Sequence, residues 1–94
     1  MKAINVSTVK NFEDIPNVGP AMARDFALLG IKDPKELKGK SAFALYKKLC
    51  TKSGSRQDPC VLDTYLAVID FMNGAAAKPW WHYTKMRKAK YPHI

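Results

Sequence analysis

The residues of this chain with the clearest capacity for chemistry are Ile15-Pro16-Asn17-Val18-Gly19-Pro20. Glycine reaches positive φ freely and asparagine reaches it tolerably, so Asn17 and Gly19 at alternate positions suit a tight turn. Val18 between them can point inward and lock the turn to a core. Pro20 pre-sets the first turn of a helix. Backbone N–H groups then converge at a helix N-terminus, where the macrodipole adds partial positive charge. The chemistry on offer is capture of an anion such as a phosphate. The same turn also serves simply to pair two helices, and both readings stand at this point. Arg24 is the nearest base on the helix that follows, while Glu13 and Asp14 place negative charge beside the turn.

Cys60 follows Asp58-Pro59 and falls in the first turn of a predicted helix, a position that lowers a thiol pKa. It reads either as a redox-sensitive thiol, with Cys50 as partner if the loop folds back, or as a small buried hydrophobe. There is no Cys-x-x-Cys pair, and nothing in the spacing requires Cys50, Cys60, His82 and His93 to converge, so no metal site is expected. Asp63 and Asp70 are a heptad apart and share a helix face, which a solvated stripe or pairing with a lysine accounts for. No Ser/His/Asp or Cys/His arrangement stands at a recognisable spacing. The expectation is a non-enzymatic protein without a cofactor.

Toward the C-terminus, Trp80, Trp81, Tyr83 and Tyr91 are interleaved with Lys85, Arg87, Lys88 and Lys90. Rings that stack on bases and cations that follow a backbone suit single strands. The tryptophans can equally pack back on the core, burying much apolar area and leaving Lys85 to Lys90 as a mobile basic extension.

The elements that must position these residues read as helices, with no sustained period-two alternation. A short first helix spans about Thr8 to Asp14 and stops before Pro16. The next starts at Pro20, carries Met22, Phe26 and Leu29 as a buried stripe and ends at Gly30. Asp33-Pro34 caps a short helix through Leu37. Ser41 caps another, with Ala42, Leu45, Tyr46 and Leu49 on the core side. Asp58-Pro59 opens the last long helix, Cys60 to Asn73, which is apolar nearly all round and belongs at the centre. The expected organisation is a domain over residues 1–78 and a Trp-containing basic tail over 79–94 packing partly on it.

Ninety-four residues suit one small domain, and 47% apolar residues can form a core. No window supplies the roughly 18 consecutive apolar residues of a membrane span. The start of the chain has no signal-peptide pattern, so a cytoplasmic location without membrane attachment is expected. Sixteen lysines and arginines against eight acids give +8, a surface that attracts polyanions. The excess is uneven: seven bases and one acid lie between Lys35 and Arg56, and five bases and no acid from Lys78 onward.

Ile15-Pro16-Asn17-Val18-Gly19-Pro20-Ala21-Met22-Ala23 resembles the helix-hairpin-helix motif of DNA-repair proteins. Leu28-Leu29-Gly30-Ile31-Lys32-Asp33-Pro34 is similar to the continuation in C-terminal domains of TfoX-type competence regulators. The pattern Leu45-Tyr46, Leu49-Cys50, then Arg56-Gln57-Asp58-Pro59-Cys60-Val61-Leu62-Asp63, then Trp80-Trp81 looks like the small bacterial pathogenicity locus family, also labelled mitomycin-resistance proteins. The resemblance covers roughly residues 10 to 83.

It implies an all-α, compact bundle of about five helices containing one helix-hairpin-helix motif. It further implies DNA binding without base reading, in a DNA damage response or competence setting. The expected phosphate site is Asn17, Val18, Gly19, Pro20 and Arg24, with Lys47, Lys48, Lys52, Lys85, Arg87 and Lys88 as an auxiliary basic surface. Carbonyls of Glu13, Ile15 and Val18 are expected to hold a monovalent cation. The rival expectation is a protein-interaction or homodimerisation module in which the turn is scaffold only.

Overall fold

The stretch that is apolar on almost every side, Pro59–Met72, becomes the helix on which the rest of the chain packs. In the computed structural model, which describes residues 2–94, four α-helices are present: α1 (Pro20–Leu28), α2 (Ala42–Ser53), α3 (Pro59–Met72) and α4 (Thr84–Lys90). Short 3-10 turns stand at Val6–Thr8, Phe12–Asp14, Pro34–Leu37 and Trp80–Tyr83. Among the described residues the secondary structure is entirely helical.

Local chemistry sets these boundaries. The Ser41 hydroxyl caps α2 by accepting from Ala44 N at 3.2 Å, and the Asp58 carboxylate caps α3 by accepting from Cys60 N at 2.9 Å. Gly54 ends α2 at φ 73°, in the left-handed region that glycine enters without a Cβ penalty. The core joins Leu62, Tyr65 and Val68 of α3 to Phe26 of α1, Leu37, and Tyr46 and Leu49 of α2, all fully enclosed. Phe26 lies between two rings, with centroid distances of 5.3 Å to Phe12 and 5.4 Å to Tyr65.

Two expectations are corrected here. The helices expected from Thr8 to Asp14 and through Leu37 are 3-10 turns, and α4 forms where a tail was expected, so the described residues hold four α-helices against the about five expected. The Asp14 carboxylate accepts from Lys10 N (3.0 Å) and Asn11 N (2.9 Å), closing a single turn, and a segment this short before Pro16 cannot offset the cost of helix nucleation. The C-terminal segment is not a mobile extension. The turn Trp80–Tyr83 and α4 lie along α3, with Tyr83 and Arg87 buried in the same body as residues 2–78.

The acids of α3 explain that docking. Asp63 is not on a solvated stripe but fully buried against Arg87, while Asp70 is exposed and accepts from the Tyr83 hydroxyl at 2.9 Å. Burial, together with the bond to Asp70, pushes the Tyr83 phenol up to about 12. A phenol whose pKa is raised by folding stabilises the folded state fully below its ordinary value and loses that contribution as pH rises toward the folded one. Stability is therefore expected to fall between pH 10 and about 12. Denaturant titration should show Tyr83→Phe with a shallower decline across that window. An equal slope in the variant removes Tyr83 as the cause.

Candidate functional site

Ile15 and Val18, 0% and 1% exposed, anchor the Ile15–Pro20 turn in the core and hold its polar backbone outward. Asn17 takes the left-handed conformation at φ 74°, as its place in the turn requires. Gly19 does not, which corrects the reading of both residues as positive-φ positions. Its φ of −105° and ψ of −176° are extended backbone open to any residue. A Cβ built on it meets nothing within 4 Å. What the glycine supplies is bareness: it is the N-cap of α1, no side chain caps that helix, and Gly19, Pro20 and Ala21 are exposed. Arg24, one turn after Pro20 on the exposed side of α1, is solvent-facing too.

The side chain of Asn17 has a second task that the sequence reading missed. Its amide donates to the Lys78 carbonyl at 2.8 Å, and its carbonyl oxygen accepts from Trp80 N at 3.2 Å. The start of the Trp80–Tyr83 turn has no cap from its own preceding residue, so Asn17 caps it across 63 residues of chain. The turn and the tryptophan segment are thereby one surface. No local pattern could have shown this, because both partners are backbone groups.

The electrostatics of the turn also differ from a simple charge count. The Asp14 carboxylate, which faces the backbone N–H groups of Lys10 and Asn11, is held below the usual carboxylate range by those bonds. The bonded carboxylate keeps its negative charge beside the turn. The carbonyls expected to hold a monovalent cation have another partner. The Lys2 ammonium donates to the carbonyls of Glu13 and Val18, and the Ile15 carbonyl accepts from Val18 N at 3.1 Å. A tethered cation from the chain itself thus stands where a bound ion was expected, and it adds positive charge beneath the turn.

Of the auxiliary bases, Lys47, Lys48, Lys52, Lys85 and Lys88 are exposed. Lys48 directs its ammonium to the Leu29 carbonyl at the end of α1, 3.1 Å away. Arg87 is not part of any basic surface, which corrects that expectation. Its Nε donates to Asp63 Oδ1 at 2.8 Å and its Nη2 to Asp63 Oδ2 at 3.2 Å, both side chains being buried. Thr84 adds a hydroxyl to Asp63 Oδ2 at 2.8 Å.

Cys60 is half-buried at the start of α3, and both cysteines are thiols. The expected lowering of its pKa by the helix dipole is overturned by its cap. The Asp58 carboxylate beside the thiol, with burial, pushes it up. Alkylation of Cys60 by iodoacetamide in a Cys50→Ala background should follow a pH profile displaced to the alkaline side of free cysteine. Asp58→Asn, which keeps a capping oxygen, should move it back. A profile on the acid side would restore the redox-thiol reading. Among the described residues no three His, Cys, Asp or Glu side chains gather as a metal site, and no helix is long and apolar enough to cross a membrane.

Fold and site together define a small, basic, all-helical module with an exposed helix start that no side chain caps, joined to a tryptophan segment. Residues 5–89 match the pathogenicity locus family, and the chain belongs to that family. It is 42% identical over 72 residues to the mitomycin resistance protein McrB of Streptomyces lavendulae, a stretch covering 77% of this chain and 69% of the relative. No solved structure matches it.

Proposed function

We propose that this protein binds nucleic acid, DNA in the first instance, without reading sequence, by a helix-hairpin-helix phosphate site at Asn17, Val18, Gly19, Pro20 and Arg24. The observation that carries this reading is the start of α1, exposed and with no side-chain cap. Its unpaired N–H groups and dipole favour an anion there. Two features support it. Lys2 sits beneath the turn, and the chain carries +8. Lys47, Lys52, Lys85 and Lys88 extend the basic surface and steer a polyanion toward it. The family resemblance implies a DNA damage response or competence as the setting.

One turn and scattered lysines should bind a short duplex with a Kd on the order of 10⁻⁴ to 10⁻⁶ M at physiological salt, log affinity falling linearly with log salt. Gly19→Val is a suitable probe, because the extended backbone and open space admit the side chain while its branches stand over the helix start. NMR titration should show shifts at Asn17, Val18, Gly19 and Arg24, lost in Gly19→Val. Lys88→Ala should only reduce the salt slope. A folded Gly19→Val that binds like the wild type moves the site off the turn. A salt-independent dimer with no response to DNA favours a protein-interaction module instead.

A further inference from the structure

Trp81 is 64% exposed, an unusual state for the largest apolar side chain in a protein this small. It is also held. Its ring meets the half-buried Trp80 ring edge-on, at 5.6 Å between centroids and 85° between planes. Trp80 is tied through its backbone N–H to Asn17, two residues before the N-cap of α1. The Tyr83 hydroxyl and the Arg87 guanidinium pin the following turn and helix to α3. The exposed ring is therefore presented by a rigid frame at the edge of the turn, not carried on a flexible end.

The charged side chains that follow it in the chain are all bases. Lys85 and Lys88 stand three apart on α4, which continues directly from the Trp80–Tyr83 turn, and both are exposed like Trp81. Lys78 and His82 are exposed on either side, and no acid occurs after Asp70. An aromatic platform followed by a line of ammonium groups complements a π-face joined to a polyanion, which is the chemistry of an unpaired nucleotide. Paired bases in a duplex do not offer that face to a ring.

We propose that Trp81 is a stacking platform for an unpaired base, and that the ligand is single-stranded nucleic acid, its base on Trp81 and its flanking phosphates on Lys85, Lys88 and the start of α1. This inference rests on the nucleic-acid reading and narrows its ligand class.

Titration of the wild type with oligothymidylate of about ten nucleotides should quench tryptophan fluorescence, and the single strand should bind about ten-fold tighter than a blunt duplex of the same length. Trp81→Ala, at an exposed position, should fold and lose that preference, while Trp81→Phe should retain part of it. Gly19→Val should weaken both ligands. Duplex binding without quenching, or a preference intact in Trp81→Ala, overturns the platform and leaves the phosphate site standing. Failure of both ligands to bind overturns both readings. A concentration-dependent dimer abolished by Trp81→Ala assigns the ring to a second copy and overturns the platform.

Discussion

Arg87→Met is expected to lower stability by about 3–5 kcal/mol, because it leaves the carboxylate of Asp63 buried without its partner. The magnitude follows from burial. Asp63 is 0% exposed, and its two oxygens accept three hydrogen bonds, two from Arg87 and one from Thr84. Removing the guanidinium strips the carboxylate of its counter-charge in a site water cannot reach. In a domain of this size, the loss corresponds to a fall in Tm of at least about 12 °C. Replacing both partners, as Asp63→Leu with Arg87→Met, removes the stranded charge and should recover much of it. Lys88→Ala, one residue along and solvent-facing, should stay within about 0.5 kcal/mol. An Arg87→Met melting temperature within a few degrees of the wild type would show that the pair does not hold α4 to α3.

Asn17→Ala is the second large effect. Two hydrogen bonds are lost, to Lys78 O and from Trp80 N, at about 1 kcal/mol each. A φ of 74° adds about 1–2 kcal/mol of left-handed strain that asparagine tolerates better than alanine. The sum is about 3 kcal/mol. Asn17→Gly removes the bonds but not the conformational fit, so it should be the milder change. Because the lost bonds belong to the clip, the loss should be local as well as global. The Trp80 amide should exchange with solvent faster in both variants, and tryptophan emission should shift. Unchanged protection of that amide in Asn17→Ala would break the link between turn and tryptophan segment.

The helices were legible wherever their signals were local. Ser41 and the two Asp-Pro pairs mark starts, Gly30 marks an end, and Phe26 and Leu49 stand on the faces that periodicity assigns to the core. The stretch from Thr8 to Asp14 was misread because the apolar spacing of Val9 and Phe12 looks the same in one short helix as in two separate 3-10 turns. Of the candidate site, the turn and its helix start were legible. The partners that complete its surface were not: Lys2 beneath the turn, Lys78 and Trp80 on the amide of Asn17.

By itself the sequence determined an all-helical chain with a buried α3, a turn at Asn17 that needs a left-handed residue, and a strong positive charge. Each of these follows from interactions within about one helical turn, or from composition alone. Only the tertiary structure decided which members of the C-terminal basic run face solvent. Arg87 and Lys88 are alike in charge and adjacent in the chain, and packing against Asp63, 24 residues away, buries one and leaves the other in water. The same holds for Trp80 and Trp81. The bond from Trp80 N to Asn17 fixes the segment so that one ring is half-buried and the other stands exposed beside the turn. A contact between residues far apart in the chain leaves no periodic trace, so folding alone placed the tryptophans next to the helix start.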